Sequence, residues 1–517
     1  MIVEDQSEVI GFLSRPGTYG GSVDHVDVIE THASVIFLAG DRAYKLKRAV
    51  KFPYLDYSTA DQRRRFCQAE LRINKRTAPD IYLAVLPVSR DERGSLRLGP
   101  RGDPHGEPVD WLVEMGRFDQ ATLFDRLAQK GVLDRYAMED LADTIARFHQ
   151  GARQVTDAGG RGAIARIIES NTRCFAESAT GLLDSDKMRK LGEASWRALA
   201  GTEQLLEERR AAGMVRHCHG DLHLRNIFLH KGQATLFDAI EFSAELADID
   251  VLYDTAFLVM DLDHRGLRDM ASILLNRYLD NTGDAGGLGA MPLFLSLRAA
   301  IRSHVLAASL APHPDRADAG EVVAEMASYL DRALDYLTPI PPRLIAIGGL
   351  SGSGKSRMAR WLSPHLGMAP GARVVRTDST RKRLAGIPLG QRLGPGGYSK
   401  RMTERTYRAV YDECRRVLIA GQSVIADAVF GEPEERQAIE QVAHEVGVPF
   451  HGVWLEASPE VMQERVTRRT RNVSDATAWV VRLQLQHDVG PMTWTRLDTS
   501  GTKDQNTRAG LKLLGLA

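Results

Sequence analysis

Cysteine and net charge are the scarcest features of this 517-residue sequence. Its four cysteines form no C-x-x-C pair and lie far apart, at Cys67, Cys174, Cys218 and Cys414. A disulfide framework is therefore not expected, and the spacing favours a reducing, cytoplasmic compartment. The 67 basic residues balance the 67 acidic residues, so no overall field draws the chain to a polyanion. Nucleic acid is thus a disfavoured partner.

Long apolar runs are also lacking. The N-terminal stretch MIVEDQSEVIGFL is acidic and has no basic region followed by an apolar core, which is not typical of a signal peptide. The most apolar late segment, at 291–311, carries Arg298 and Arg302 within its span and is too interrupted for a transmembrane helix. We therefore expect a soluble protein with no membrane partner.

A pair of prolines near residue 340 marks a boundary within the chain. The segment TPIPP at 338–342 ends a helical stretch, because proline lacks a backbone donor and disfavours helix before it. After it, short apolar runs alternate with helical segments, which is typical of an α/β parallel sheet flanked by helices. Before it, a β-rich lobe precedes a mostly helical one, so this part is α+β. We expect one domain at 1–337, with a small lobe at about 1–115 and a helical lobe at about 116–337, and a second domain at 338–517.

The most specific motif is the stretch GGLSGSGKS, which contains G-x4-G-K-S between a predicted strand and a predicted helix. Glycines let the backbone wrap around a polyphosphate, so that several N–H groups and the following helix N-terminus point at it. Lys355 would bridge the terminal phosphates, and Ser356 would supply an oxygen to Mg²⁺. The loop residues predicted to bind nucleotide are Gly349, Ser351, Gly352, Ser353, Gly354, Lys355 and Ser356.

Two carboxylates follow the next two predicted strands, at Asp378 and Asp427. Parallel sheets of this kind place their chemistry at the strand ends. Transfer of a phosphoryl group to an alcohol needs one carboxylate near Mg²⁺ and one near the acceptor hydroxyl, which must lose a proton. We assign Asp378 as the base and Asp427 to the metal, with a helix N-cap as the alternative for each. Arginines after the fourth strand, including Arg465 and Arg469, could bring positive charge to the phosphate on a lid or could form a solvated helix face.

These segments together resemble the zeta-toxin-like and gluconate-kinase-like branch of P-loop kinases. The resemblance covers the carboxyl-terminal third of the chain and rests on GLSGSGKS, RTDSTRKRLAG, YSKRMTERTYRAVYDE, VIADAVF and WLEASPEVMQERVTRR. It implies a five-stranded parallel domain that phosphorylates a small hydroxyl compound, with Asp378 as the proton acceptor. It does not fix the acceptor, because members of this branch use sugars, nucleotide sugars, antibiotics and polynucleotide ends.

The stretch HCHGDLHLRN at 217–226 is rich in histidine and suggests a metal site at first sight. However, Asp221, Asn226 five residues later and Asp238 on the next strand reproduce the offsets of a kinase catalytic loop and metal-binding strand. Successive residues of an extended segment face opposite ways, which disfavours a common point of convergence for the histidines. We therefore expect Mg²⁺ held by oxygen and amide groups.

The stretches HGDLHLRN and LFDAIEF resemble the aminoglycoside phosphotransferase and choline kinase-like family. The whole chain is similar to bifunctional bacterial proteins that fuse such a domain to a P-loop kinase-like, ATP-binding domain. The resemblance implies a bilobal protein-kinase-like fold in which Asp221 deprotonates the acceptor hydroxyl. It also implies that Asn226 and Asp238 bind Mg²⁺ and that His219 braces the loop.

Upstream residues match the same family more loosely. The stretch RAYKLKRAV offers Lys45 to the α and β phosphates, with Lys47 as a rival on the same strand face. Glu70, on a predicted helix, is the natural ion-pair partner of the lysine, and a solvated helix surface is the alternative. The backbone around Glu114 and Met115 would meet adenine. The small lobe departs from the family pattern in one respect, since no G-x-G-x-x-G precedes Lys45.

The sequence thus predicts a kinase with an alcohol group as acceptor and two sites for ATP (or GTP) with Mg²⁺. Its substrates would be small molecules with hydroxyl groups, such as a sugar, an aminoglycoside-like compound or a nucleoside. The fusion alone suggests that the two sites act on one molecule in sequence. Two alternatives stay open: the P-loop domain could be a nucleotide-sensing regulator of the first domain, or the chain could be a polynucleotide 5′-end kinase of RNA repair.

Overall fold

The computed structural model describes residues 3–21, 23–52, 55–100, 106–311, 314–468 and 473–516. Its strands are β1 (Val26–Glu30), β2 (Ser34–Ala39), β3 (Arg42–Lys47), β4 (Lys51–Phe52), β5 (Leu55–Asp56), β6 (Tyr82–Arg90), β7 (Leu96–Leu98), β8 (Glu107–Gly116), β9 (Val215–His217), β10 (Ile227–His230), β11 (Gln233–Leu236), β12 (Asp248–Asp250), β13 (Leu344–Gly348), β14 (Arg373–Arg376), β15 (Val424–Asp427), β16 (Phe450–Glu456) and β17 (Thr495–Asp498). Its helices are α1 (Ser7–Leu13), α2 (Ala60–Asn74), α3 (Phe124–Gln129), α4 (Arg135–Gly151), α5 (Gly160–Ser178), α6 (Ser185–Ala211), α7 (Ala244–Ala247), α8 (Val251–His264), α9 (Arg268–Thr282), α10 (Met291–Leu310), α11 (Ala319–Tyr336), α12 (Lys355–Leu362), α13 (Thr377–Leu384), α14 (Lys400–Ile419), α15 (Pro433–Val446), α16 (Pro459–Thr467), α17 (Ala478–Leu485) and α18 (Lys503–Leu513).

The chain divides into two compact units. The first takes in the chain up to Gly159 together with Gly213–Asp254, and the second takes in Gly160–Ala212 and the chain from Thr255 onward. This division does not coincide with the expected boundary at residue 338, because helices from both sides of that residue pack in the second unit. As a boundary between two chemical activities, residue 338 stays a prediction.

The first unit is built on an antiparallel sheet with strand order β1-β2-β3-β8-β6-β7. Strands β2 and β3 form a hairpin, with Lys45 opposite Ile36. Alternate residues face opposite sides of the sheet, so one face can be apolar throughout. That face packs against α1 and buries Val35, Phe37, Leu46 and Leu112.

Helix α2 covers the other face of this sheet. It begins with a capping box, in which the Thr59 side chain accepts a hydrogen bond from the Gln62 N–H and the Gln62 side chain accepts one from the Thr59 N–H. The buried positions of the helix include Cys67, Glu70 and Ile73, which recur at helical spacing. The packing brings Glu70 next to the lysines of β3.

Short antiparallel pairs carry the segment that was predicted as the catalytic loop. Strand β9 pairs with β12, and β10 pairs with β11 in a hairpin whose register places Ile227 opposite Leu236. The residues just outside this hairpin continue the pairing, because the Phe237 N–H donates to the Asn226 carbonyl oxygen at 3.1 Å. Asn226 and Asp238 therefore lie at the same end of the hairpin.

The second unit begins with long helices, of which α10 and α11 pack closely together. The segment Ala285–Leu310 is long and apolar enough to cross a membrane by length and composition, and 61% of an apolar 18-residue stretch within it is buried in the structure. A core helix has the same properties. Arg298, within this segment, is itself buried and lies 4.7 Å from the ring centroid of Phe257. We therefore describe α10 as a core helix of this unit.

The second unit also contains a parallel sheet with strand order β14-β15-β13-β16-β17. The central strand β13, LIAIG, is buried at every position, as expected for a strand covered on both faces. These parallel strands with their flanking helices confirm the architecture that was predicted for the C-terminal domain. The sequence patterns did not predict β17, whose four residues TRLD are short and polar.

Candidate active sites

In the first unit, a lysine of β3 contacts both α2 and the strand end that carries Asp238. Lys45 Nζ donates to Glu70 Oε1 at 2.9 Å and to Asp238 Oδ1 at 2.7 Å, across a sequence separation of 193 residues in the second case. Asp238 has a φ of 61°, an uncommon value outside glycine, and its N–H donates to the Tyr82 hydroxyl at 3.1 Å. Burial disfavours the charge of Lys45, but the carboxylates of Asp238 and Glu70 outweigh burial and raise the pKa of Lys45 well above its usual value.

Lys47, the rival on the same strand face, is enclosed by protein. Its Nζ donates to Glu70 Oε2 at 2.6 Å and also contacts Glu241 Oε1, which accepts a hydrogen bond from the Tyr57 hydroxyl at 2.6 Å. The Lys47 side chain is 1% exposed, whereas that of Lys45 is 14% exposed. The geometry therefore favours Lys45 as the phosphate ligand. Sequence reasoning missed Glu241, although it lies three residues after Asp238.

The predicted catalytic loop brings Asp221 and Asn226 together. Asn226 Nδ2 donates to the Asp221 carbonyl oxygen at 2.9 Å and to Asp221 Oδ2 at 2.8 Å. Within the described residues, Asn226 Oδ1 and Asp238 Oδ2 take part in no hydrogen bond or ion pair, and the Asp238 side chain is 43% exposed. A carboxylate and an amide oxygen are ligands that suit Mg²⁺, so the donor set fits this ion.

A buried carboxylate on α8 supports this loop. Asp254 accepts hydrogen bonds from the His219 N–H at 3.0 Å and from the Gly220 N–H at 2.9 Å, and it also contacts His149 Nε2 at 3.0 Å. Gly220 must be glycine, because it has a φ of 83° and an added Cβ would lie 2.8 Å from the Leu246 carbonyl oxygen. Asp254 therefore holds the backbone of the predicted catalytic loop at His219 and Gly220.

His219 has a defined tautomer in this arrangement. Its Nε2 lies 2.9 Å from the Phe237 carbonyl oxygen, which can only accept, and its Nδ1 accepts from the Asp221 N–H at 3.3 Å. The ring is therefore neutral with its proton on Nε2. Burial lowers the pKa of His219 and so favours this neutral form. His219 thus braces the loop.

Among the described residues, one group of side chains could support a transition-metal interpretation. Ligand atoms of His149, Cys218 and Asp254 lie within 4.8 Å of one another. However, both oxygens of Asp254 already accept backbone hydrogen bonds of the loop, and burial raises the pKa of the Cys218 thiol well above its usual value. The group is therefore better explained as the structural support of the catalytic loop.

The residues expected to meet adenine lie inside the sheet. Glu114 pairs with Tyr44 on β3 and Ala84 on β6, and Met115 pairs with Ala43 and Tyr82 on the same two strands. Backbone groups of a strand that has neighbours on both sides face those neighbours. This placement weighs against an adenine contact through Glu114 or Met115, and the expected contact stays a prediction.

In the second unit, the glycine loop has the conformation that only glycine accepts readily. Gly349, Gly352 and Gly354 have φ values of 136°, 91° and 97°. A Cβ added at Gly352 would lie 2.5 Å from the Met462 carbonyl oxygen, and one added at Gly349 would lie 2.5 Å from the Leu455 carbonyl oxygen. The loop leads from β13 into α12, which begins at Lys355. This is the geometry of a backbone cradle for phosphate.

The polar groups of the loop contact other parts of the same unit. The Ser351 N–H donates to Gln484 Oε1 at 2.8 Å, and Lys355 Nζ donates to the Leu350 carbonyl oxygen at 2.9 Å. Ser353 Oγ is fully buried and has no hydrogen-bond partner in the described part of the chain. Backbone N–H groups, an ammonium group and serine hydroxyls form a donor set that fits a polyphosphate.

The two predicted carboxylates lie at or just beyond the ends of neighbouring strands. Asp427 ends β15, opposite Arg376 at the end of β14, and Asp378 lies half-buried in the first turn of α13. Arg376 Nε donates to Asp427 Oδ2 at 3.2 Å, and Arg376 Nη2 donates to Ser356 Oγ at 3.2 Å. Arg376 thus links the two residues that were predicted to hold Mg²⁺. Sequence reasoning missed this arginine, two residues before Asp378.

Arg465 is one of the arginines predicted for the lid that lie within the described residues. Its Nη2 donates to the Thr499 carbonyl oxygen at 2.7 Å, and its Nη1 reaches the Gly352 carbonyl oxygen at 3.5 Å. Burial, and next the charge of Arg357, lower the pKa of Arg465. Arg469 lies outside the described residues, so its predicted role stays a prediction.

The basic cluster of α13 has partners within the chain. Lys382 Nζ lies 3.2 Å from Asp475 Oδ1, and Arg383 Nη2 lies 2.7 Å from Glu413 Oε2. Arg381 Nη1 donates to Thr403 Oγ1 at 3.1 Å. These cations therefore hold the local structure together, which makes them less available to a nucleic-acid backbone.

Comparison with known proteins agrees with the two expected domains. Residues 97–291 match the phosphotransferase enzyme family, and residues 344–488 match an AAA domain. The uncharacterized protein Rv2004c of Mycobacterium tuberculosis is 30% identical over 488 residues, which cover 93% of this chain and 94% of that protein. The adenylyl-sulfate kinase of Myxococcus xanthus is 28% identical over 123 residues, which cover 24% of this chain and 62% of that enzyme.

Among solved structures, a choline/ethanolamine kinase family protein from Mesorhizobium loti is similar, with 14% identity and a TM-score of 0.39. The match covers 64% of this chain and 98% of that one. The family matches confirm the expected protein-kinase-like phosphotransferase domain and the expected P-loop kinase-like domain. The chain therefore belongs to the family of Rv2004c, and its two matched domains make it a kinase that joins a phosphotransferase domain to a C-terminal P-loop domain.

Proposed function

We propose that the chain transfers the terminal phosphoryl group of ATP (or GTP), with Mg²⁺, to hydroxyl groups of small molecules at two separate sites. The observation that carries this proposal is the joint contact of Lys45 with Glu70 and Asp238 beside the Asp221–Asn226 pair. These five residues are widely spaced in sequence. Together they would supply the groups that phosphoryl transfer needs, which are a lysine for the phosphates, oxygens for Mg²⁺ and a carboxylate for the acceptor proton.

At the first site, each side chain has one task. Lys45, held by Glu70, would orient the α and β phosphates, and Asn226 and Asp238 would hold Mg²⁺ through their remaining oxygens. Bound Mg²⁺ would neutralise charge on the phosphates. Asp221 would accept the proton of the acceptor hydroxyl, and its hydrogen bond from Asn226 Nδ2 keeps its carboxylate in place.

At the second site, the backbone N–H groups of the glycine loop and Lys355 would bind the phosphates. Ser356 and Asp427 would hold the metal, which requires Arg376 to give up its contacts with them. Asp378 would accept the acceptor proton. The presence of Asp378 at a strand end favours a catalyst over a pure nucleotide sensor, because a switch needs no base.

The test is a screen for ADP formation and phosphorylated product with sugars, amino alcohols, aminoglycosides and nucleosides. The full chain is compared with Asp221→Asn, with Lys355→Ala, and with Asp269→Asn and Lys512→Ala as control variants on exposed helix surfaces. Each active-site variant is expected to abolish one Mg²⁺-dependent product and leave the other, while the controls lose neither.

Three results would separate the alternatives. If neither active-site variant changes product formation, the proposal is wrong. If Lys355→Ala only alters the rate of the Asp221-dependent reaction, the P-loop domain is a regulator. If a single-stranded oligonucleotide is the acceptor and its binding weakens steeply with salt, the chain is a polynucleotide kinase.

A further inference from the structure

Strand β14, which leads to Asp378, is the edge strand of the parallel sheet. It pairs with β15 on one side, and no strand follows on the other side in the described sheet order. The open side of an edge strand leaves backbone N–H and C=O groups that need partners. Helix α9 supplies them: Asn276 Oδ1 accepts from the Val374 N–H at 2.7 Å, and Asn276 Nδ2 donates to the Ala372 carbonyl oxygen at 3.2 Å. One side-chain amide thus takes the place of a neighbouring strand.

One turn later on α9, Asp280 binds both ends of the segment that carries the catalytic residues. Its Oδ1 accepts from Arg373 Nη2 at 2.7 Å, and its Oδ2 accepts from Ser379 Oγ at 2.8 Å. Arg373 begins β14, and Ser379 lies in the first turn of α13. Between these two anchors lie Arg376 and Asp378.

These contacts are buried and their charges are matched. The exposed fractions of Asp280, Arg373, Ser379 and Glu413 are 6%, 3%, 2% and 1%. Glu413 Oε1 accepts from Arg373 Nε at 3.0 Å. Burial disfavours the charge of Arg373, but Asp280 and Glu413 outweigh it and raise the pKa of Arg373. The arginine therefore stays charged, and it is held by one carboxylate on α9 and another on α14.

Helix α9 belongs in sequence to the part of the chain that matches the phosphotransferase enzyme family, since residues 268–282 lie within 97–291. We propose that Asp280 is a positioning residue for the P-loop reaction, so that the second active site is completed by a helix of the preceding domain. The inference rests on the proposed function of Asp378 as the base. A shift of about 1 Å in such a group can lower the rate about a hundredfold.

The test uses the full chain in an Asp221→Asn background, so that ADP release without added acceptor reports the second site. Ser379→Ala removes one hydrogen bond of Asp280 and leaves its ion pair with Arg373. The matched control is Ser303→Ala, which removes an equally buried hydroxyl that donates to the Met326 carbonyl oxygen at 2.9 Å. A second pair compares Asp280→Asn with Asp263→Asn, a buried carboxylate that Arg268 and Tyr336 hold.

We expect Ser379→Ala and Asp280→Asn to lower kcat at least about tenfold while KM for ATP stays within about twofold, because the nucleotide cradle is untouched. The controls should leave kcat unchanged. A purely structural role of Asp280 would lower thermal stability without this split between kcat and KM, and that result, or an unchanged kcat, would overturn the proposal.

Hydrogen exchange gives a second measurement that does not depend on turnover. Ser379→Ala should speed the exchange of backbone amides at 374–380 more than Ser303→Ala does. If the Asp221→Asn chain still releases ADP after Lys355→Ala is added, the proposed function of the second site is wrong, but the positioning role of Asp280 is not thereby excluded. In that case exchange decides whether Asp280 holds the segment, and unchanged exchange would show that it does not.

Discussion

Replacing Lys47 by methionine is expected to destabilise the small lobe, whereas replacing Lys45 by methionine is expected to weaken nucleotide binding. The Lys47 side chain is 1% exposed, and its Nζ contacts both Glu70 and Glu241. Removing one partner of a buried ion pair costs about 3–5 kcal/mol, because the remaining charge is left without compensation. The partner Asp238 of Lys45 is 43% exposed, so water can replace the lost contact, and we expect a cost of about 1–2 kcal/mol.

Replacing Lys47 by methionine should also make the stability of the small lobe more sensitive to acid. Burial by itself raises the pKa of Glu70, but the ammonium groups of Lys45 and Lys47 outweigh burial and hold this pKa below its ordinary value of 4.5. A carboxyl group with a lowered pKa contributes stability above about pH 4.5, and this contribution is lost as the pH falls through the folded-state pKa. Without Lys47 the folded-state pKa of Glu70 rises, so acid unfolding should begin at a higher pH.

The assay separates the two lysines in a Lys355→Ala background, where only the first site binds nucleotide. Hydrogen exchange of amides in β3 and α2 at increasing urea concentration measures the stability of this lobe. A fluorescent ATP analogue measures binding, which Lys45→Met should weaken by at least about tenfold. If Lys47→Met weakens binding more than Lys45→Met and leaves stability unchanged, the assignment of the two lysines is reversed.

Three further predictions follow from buried or strained positions. Asp254→Asn should lower kcat of the first site about a hundredfold with little change in nucleotide affinity, because asparagine keeps one acceptor oxygen and one of the two loop amides then faces an NH2 donor. A proportional loss of affinity would argue against this role. Burial lowers the pKa of His304 to about 4 from 6.5, so about 3 kcal/mol of stability should be lost as the pH falls from 6.5 to 4. His304→Gln should remove this pH dependence, measured by hydrogen exchange of α10 during urea unfolding. Gly352→Ala should abolish nucleotide binding at the second site, because its Cβ would meet the Met462 carbonyl oxygen. Gly421 has a similar positive φ but open space around it, so the control variant Gly421→Ala should bind nucleotide normally. Equal binding by both variants would show that the clash is relieved.

The sequence by itself was enough to predict the candidate sites wherever their residues are close together in the chain. The phosphate loop is readable because Gly349 through Ser356 form one turn, whose spacing follows from wrapping a backbone around phosphate. The offsets from Asp221 to Asn226 and Asp238 are readable for the same reason, since one loop and one hairpin contain them. The parallel sheet is equally evident, because its central strand is apolar on both faces.

Tertiary structure decided which of several similar residues take part. Lys45 and Lys47 are equivalent in the sequence pattern, and they differ in the structure because Asp238 contacts Lys45 and Glu241 contacts Lys47, from 193 and 194 residues away. Asp280 lies on an ordinary helix, and no local pattern indicates that it binds Arg373 and Ser379 almost a hundred residues later. Local spacing reflects constraints within one turn or one strand, whereas these contacts arise from the packing of distant elements, which no short stretch of sequence encodes.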